Sequence, residues 1–304
     1  MPEPSPSRAD IFAQAAAFAA PAVFVLLWAS GFIGAKFGMP YAEPMTFLTV
    51  RMGGVVLVLG LIILVTRPAW RLTRSQMLHS AITGLFVHGL YLGGVFVAID
   101  RKLPAGFVAL VVSLQPVLTS TLANRLLGEP VTIRQWAGLG LGVLGVYLVV
   151  HGHTGGEAPL AAWAAATVAL IGMTIGTLYQ KRFGGGIEWR TGFFVQYVAA
   201  LVLFTVCAFA TETMQVQWTG EFLFAVAWLV FVLSIGAIWL LYFLIAHRAA
   251  TRVVSLFYLT PPFTALMAWL LFDERLALLS LAGMAICVAG VAMVNWRAGE
   301  PGRQ

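Results

Sequence analysis

Residues 116–129 read PVLTSTLANRLLGE, and residues 261–274 read PPFTALMAWLLFDE. Adding 145 to Pro116, Thr119 and Glu129 gives Pro261, Thr264 and Glu274. The same offset carries Gly31 to Gly176, Lys36 to Lys181, Glu43 to Glu188, Thr46 to Thr191, Gly138 to Gly283 and Gly145 to Gly290. Coincident Leu or Ala residues mean little in a chain that is 60% hydrophobic. Charged residues make up only 10% of it, so Lys and Glu matches at one fixed offset mark an internal duplication. Duplication in an apolar chain is the usual trace of a transporter that exchanges two similar shapes.

A mean hydropathy of +0.90 over 304 residues excludes a soluble globular domain, whose composition is far more polar. Lipid is therefore the main solvent, and only helices or closed barrels satisfy every backbone polar group there. Continuous apolar runs of about 20 residues, rather than short alternating ones, select helices. The pI near 9.7 does not indicate nucleic acid, because the basic residues are scattered singly between apolar runs. Cys207 and Cys287 both fall within apolar runs and read as packing residues, with no disulfide expected. The first apolar stretch lacks a basic leader and a clear cleavage site, so it reads as a retained span.

Charged and Pro/Gly-rich punctuation divides the chain into ten expected helices near 15–36, 45–65, 77–99, 103–127, 132–150, 159–180, 191–210, 222–246, 252–272 and 277–296. An even number of spans places both termini on one side. Thirteen of the 18 Lys and Arg residues fall on that side and four on the other, with Arg51 inside a span, so the termini are expected to be cytoplasmic. Five helices per repeat is odd, which inverts the second copy relative to the first. The expected fold is thus an all-α polytopic membrane protein of ten helices in two inverted five-helix repeats, 1–150 and 151–304.

Family likeness is carried by the run Trp28, Ala29, Ser30, Gly31, Phe32 closing on Lys36, by Glu43-Pro44 leading to Arg51, and by Leu114-Gln115-Pro116 running to Glu129. On these residues the chain resembles the ten-helix drug/metabolite exporters built from two EamA-type repeats, over about residues 20–296. The resemblance implies export of amino acids and other small metabolites across the bacterial inner membrane, and is greatest to the aromatic amino-acid branch. Small four-helix multidrug relatives carry a membrane-embedded glutamate in their first helix. No Asp or Glu falls at mid-depth in any expected span here, which favours neutral or zwitterionic cargo over organic cations.

The middles of the runs bring Trp28 to Gly31, His88, Gln115, Thr174, Ser234 and Pro261 to one depth. Polar groups there usually face protein or a cavity. His88 is the sharpest candidate, because an imidazole in hydrocarbon needs a partner and is a side chain that can titrate near neutral pH, and Tyr91, one turn on, is expected on its face; a His satisfied by a neighbouring Ser or carbonyl is the alternative. Gln115 precedes Pro116, and Thr260-Pro261-Pro262 stands at the matching point, so Pro116 and Pro261 are candidate hinges or purely structural kinks. Trp163, Tyr179, Trp239, Tyr242 and Tyr258 are deep aromatics that either line a substrate cavity or pack between helices. Arg51, about two turns into its helix, reads first as a snorkelling anchor and second as a carboxylate partner. Lys36 with Glu274, and Lys181 with Glu129, are candidate latches at opposite faces.

No cofactor is expected, and no Cys, Asp or Glu lies at ligand spacing from His88. The expected partners are a small-molecule substrate and the bilayer, a plan a monomer can fulfil. The competing class is a polytopic membrane enzyme, but paired intramembrane aspartates and a nucleophile motif around His88 are lacking.

Overall fold

The computed structural model describes residues 8–68, 72–103, 108, 111–126, 128, 130–151, 159–272 and 278–295. Their regular backbone is helical apart from one isolated bridge between Ala42 and Val216, as a chain solvated by lipid requires. In order come α1 (Arg8–Gly38), a 3₁₀ turn (Met39–Tyr41), α2 (Pro44–Thr66), α3 (Arg74–Gly84), a π-helical segment (Leu85–Leu90) and α4 (Tyr91–Asp100). After these follow α5 (Gln115–Leu126), α6 (Ile133–His151), α7 (Leu160–Phe183) and α8 (Trp189–Thr211). The last part holds α9 (Gly220–Trp228), a second π-helical segment (Leu229–Ala237), α10 (Ile238–His247), α11 (Ala250–Val254), a 3₁₀ turn (Ser255–Leu259), α12 (Thr260–Phe272) and α13 (Leu278–Asn295).

Local chemistry sets the helix starts. Pro44 pre-sets the first turn of α2 after Glu43. Thr73 and Gln76 form a reciprocal capping box on α3. Glu188 caps α8 by accepting from Thr191 N, and Thr219 caps α9 by accepting from Phe222 N.

Among the described residues, six stretches are long and apolar enough to cross a bilayer: Ala19–Tyr41, Pro44–Thr66, Arg74–Asp100, Leu160–Phe183, Trp189–Thr211 and Gly220–His247. The 23 residues of α2 span roughly 35 Å at the α-helical rise, enough for the hydrocarbon core. The expectation of ten helices is met in part among the described residues: 132–150 and 277–296 run as the single helices α6 and α13, of 19 and 18 residues, and the other two are broken. The expected 103–127 helix breaks into a turn at Ser113 and Leu114 before α5. The 252–272 helix is α11, a 3₁₀ turn and α12 in succession. Pro116 and Pro261 are each the second residue of the helix that resumes, a position where a missing N–H costs nothing.

Matched helices of the two halves lie antiparallel. On α6, a Cβ added to Gly138 would sit 2.7 Å from Gly290 O, and one added to Gly145 would sit 2.7 Å from Gly283 O of α13. Gly290 is the 145-residue counterpart of Gly145, and Gly283 of Gly138, so each glycine meets its partner's counterpart in reverse order. Only residues without Cβ allow such backbone approach. In the same way α2 passes α8, with Gly53 opposite Leu201 and Gly60 opposite Phe194. Gly31 of α1 packs on Leu233 in the second π-helical segment, and Gly176 of α7 packs on Val87 in the first.

The two π-helical segments also correspond, since Leu85–Leu90 advanced by 145 becomes 230–235, inside the second. A buried core runs through both halves, from Phe24, Phe47 and Met52 to Tyr197, Leu241 and Tyr258.

Candidate functional site

The widened turns of the π-helical segments bring polar side chains to one level in the core. Insertion of such turns is frequent at functional sites. His88 lies in the first segment and Ser234 in the second, 1% and 0% exposed. Between them stands Tyr197 of α8, whose hydroxyl donates to the Ser234 carbonyl and whose ring stacks on His88 at 4.1 Å and 18°. Arg51 of α2 reaches into the same group, its Nε donating to Ser234 Oγ at 3.0 Å. Tyr197, Tyr91 and His88 all lie close enough to interact with it electrostatically. The snorkelling reading of Arg51 is corrected here: the side chain is only 5% exposed and turns toward the core, not the surface.

His88 and Tyr91 were expected on one face, but they meet different neighbours. His88 stacks on Tyr197, whereas Tyr91 stacks on Trp28 of α1 at 6.2 Å. Tyr91 begins α4 directly after the π-helical turn, which changes the angular phase that an α-helical count assumes. Trp28 further packs on Phe24 and Phe257.

A cavity of about 190 Å³ adjoins this group, lined by Ser80, Gln180, Gly184, Ile187, Trp189, Gly192, Phe193, Gln196, Trp239, Tyr242, Phe243 and Ala246. Tyr242 OH donates to Gln196 Oε1 at 3.0 Å, and Gln196 lies beside His88. Gln196 is therefore the link from cavity to buried cluster. Gly84 lets α3 run against the backbone of Gln196, where any Cβ would collide. Exposed Trp189 and Trp239 mark the cavity rim, close to Lys181, whose Nζ donates to the carbonyls of Ile245 and Arg248 at 2.7 Å each. This ammonium caps the C-terminus of α10. Glu129, its proposed latch partner, lies outside the described residues, as do Glu274 and the side chain of Lys36.

At the other end of α8 the helices are tied. Glu212 accepts from Met45 N and Thr46 N at 2.7 Å and from Thr46 Oγ1 at 2.8 Å, so it caps α2 from the end of α8. Glu43 answers by accepting from Thr213 N at 2.8 Å and Thr213 Oγ1 at 2.6 Å. Gln217 N donates to Tyr41 O at 2.9 Å beside them. The hydrogen bonds from Thr213 hold the Glu43 carboxyl below its ordinary pKa. The 145-residue counterpart of Glu212 is Arg67, which has no acceptor to offer an N–H. The opposite end of the α2–α8 pair thus cannot form the same clasp. There Glu188 caps its own helix; partial burial raises its pKa, but hydrogen bonds from Arg190 and Thr191 N outweigh this and lower it overall.

The remaining expected site residues are dispersed. Gln115 is fully buried between α5 and α7, its Nε2 donating to Thr119 Oγ1 and Thr177 Oγ1 at 3.3 and 3.4 Å. Tyr242 lines the cavity, while Trp239 is 42% exposed on its rim. Tyr179 pairs with His79 Nδ1 at 2.6 Å and packs on Phe183, near the end of α7. Trp163 is 38% exposed on the outer surface of α7. Tyr258 is fully buried, with its ring against Gly142 of α6, which places it in helix packing. Tyr197 and Gln196 were not anticipated. The visible signal was Gln196, the one amide in the apolar run 191–210.

Two stretches of the chain, residues 15–151 and 160–296, each match the EamA-like transporter family. Among relatives, "Uncharacterized transporter YvbV" of Bacillus subtilis is 27% identical, over 90% of each chain. "Uncharacterized inner membrane transporter YedA" of Escherichia coli K12 is 24% identical, over 89% of this chain and 87% of its own. "Probable amino-acid metabolite efflux pump" of the same organism is 23% identical, over 90% and 94%. A crystal structure of a protein 21% identical superposes with a TM-score of 0.74, covering 91% of this chain and 95% of that one, and shares the fold.

Proposed function

Since the chain belongs to the EamA-like transporter family, and is a membrane transporter rather than an enzyme, we propose that it exports small metabolites across the bacterial inner membrane, foremost amino acids with aromatic or other apolar side chains. Movement is by alternating access through a central midplane cavity. Both termini are cytoplasmic, and the ten helices are two inverted five-helix repeats, 1–150 and 151–304.

The observation that carries this reading is the buried polar cluster between two π-helical segments at equivalent positions, with a cavity leading to it from one face while the other face is tied by Glu43 and Glu212. The antiparallel passage of α6 and α13 supports inversion, because a two-fold axis along the membrane normal would make equivalent helices parallel. The Lys181 end, rich in basic residues, is the cytoplasmic one. The cavity is well below the roughly 300–1,000 Å³ of drug-sized sites, which favours small cargo. The relative named as a probable amino-acid metabolite efflux pump supports the substrate class. Pro116 and Pro261 serve as matched hinges, and His88 is the candidate for proton coupling.

Purified protein in proteoliposomes tests this. Labelled Phe, Trp or Tyr should show saturable counterflow, and flux of an unrelated metabolite alone would keep the transporter and overturn the substrate. Transport unaffected by an imposed pH gradient would remove coupling from His88.

A further inference from the structure

Arg51 is the only Arg, Lys, Asp or Glu in the buried set among the described residues. Its one hydrogen bond is from Nε to Ser234 Oγ, which leaves both terminal nitrogens of the guanidinium, four of its five N–H donors, without a partner among the described residues. Those nitrogens are not among the fully enclosed unpartnered atoms, so each keeps some accessible surface although the residue is only 5% exposed. His88 Nε2, by contrast, is enclosed and unpartnered in the same cluster. An isolated buried cation is among the most expensive arrangements a fold can hold, and it is normally paired or hydrogen-bonded throughout.

We propose that Arg51 is the receptor for the carboxylate of the transported solute, held in position by Ser234 and flanked by Tyr91 and Tyr197. The identity of the solute as an amino acid rests on the function proposed above; the carboxylate site does not. The planar guanidinium offers two parallel N–H donors that match a carboxylate in bidentate fashion. Ser234 Oγ accepts from Nε and so fixes the plane of the fork, while Tyr197, bonded to the Ser234 carbonyl, fixes the π-helical turn that carries Ser234. Ser234 is thus a positioning residue. The rings of Tyr91 and Trp28 stack on each other and that of Tyr197 on His88, so the surroundings of the guanidinium are aromatic and suit a solute with an aromatic or apolar side chain. An inorganic counter-ion would not need these rings.

The test measures binding to the purified full chain for L-phenylalanine, L-leucine, phenylacetate and phenethylamine. Wild type should bind both amino acids, and phenethylamine, which lacks the carboxylate, about 10–100-fold more weakly than L-phenylalanine. Arg51→Gln should lose a similar factor for L-phenylalanine and no longer distinguish it from phenethylamine; Arg51→Lys should restore part of the difference. Ser234→Ala, which leaves the charge in place, should weaken L-phenylalanine but not phenethylamine, and serves if Arg51→Gln does not fold. Equal affinity of wild type and Arg51→Gln for every carboxylate overturns the site. Arg51-dependent binding of phenylacetate without either amino acid keeps the site and overturns the amino-acid reading. Failure of all three carboxylates to bind overturns both.

Discussion

Replacing Glu212 by Ala removes one half of the clasp that ties the end of α8 to the start of α2. Three donors lose their acceptor, Met45 N, Thr46 N and Thr46 Oγ1, all now within 2.8 Å of its carboxylate. Two of them are first-turn N–H groups of α2 that no residue inside that helix can satisfy. Loss of a helix cap costs about 0.5–2 kcal/mol, and loss of a carboxylate at the positive end of a helix about 0.3–1 kcal/mol. Water reaches this partly buried site and recovers some of the loss, so about 1.5 kcal/mol is the working figure, close to a tenfold change in population. Spin labels at the exposed positions Pro40→Cys and Glu221→Cys, with Cys207 and Cys287 replaced by Ala, report the separation of this end by pulsed dipolar spectroscopy. The variant should raise the share of a longer distance about tenfold, and Glu212→Gln, which keeps one acceptor oxygen, should fall between. An unchanged distance distribution in Glu212→Ala would refute the assignment of this clasp as the closure of that face.

Three further outcomes follow from the geometry. Gly145→Ala places a methyl 2.7 Å from Gly283 O and from Cys287 N, and should destabilise by about 1–3 kcal/mol in thermal unfolding in detergent, whereas Gly140→Ala, with nothing within 4 Å, should be tolerated. Glu43 has its pKa lowered in the folded protein, so its contribution is complete above the ordinary carboxylate pKa and is lost as pH falls through the folded value; the longer spin-label distance should grow on acidification below about pH 4.5, and Glu43→Gln should flatten that dependence. Pro116→Ala allows the helix before α5 to continue through the turn at Ser113 and Leu114, so counterflow should slow several-fold with thermal stability kept if the break acts as a hinge, and a transport rate equal to wild type would leave it a purely structural break.

Much of the helix framework is legible in the linear order of residues. Pro44, Thr73, Glu188 and Thr219 stand at helix starts for reasons confined to a few neighbours, and the α2, α7 and α8 boundaries fall within a few residues of those read from hydropathy. The site was less legible. His88, Ser234, Trp28 and Tyr91 share a depth that a count along each helix can find. Whether they share a face depends on the phase of the helix, and a π-helical turn shifts that phase with no more signal than a single glycine, one of many in the apolar runs. Tyr91 accordingly turns to Trp28 while His88 turns to Tyr197. Trp163 and Tyr258 show the same limit: a deep aromatic reads alike whether it is exposed, as Trp163 is on α7, or packs into the gap left by Gly142, as Tyr258 does.

By itself the sequence determined that the chain is helical, lies in membrane and is duplicated at 145 residues, because lipid forces each backbone to satisfy itself locally and charged matches do not recur by accident. Only the tertiary structure decided that Arg51 turns into the core, that it meets Ser234 and Tyr197, and that Glu212 closes one end where Arg67 cannot close the other. These are contacts between residues more than 160 positions apart or across the two repeats. They depend on which faces of neighbouring helices pack together, a property of glycine contacts and π-helical turns that no single helix specifies alone.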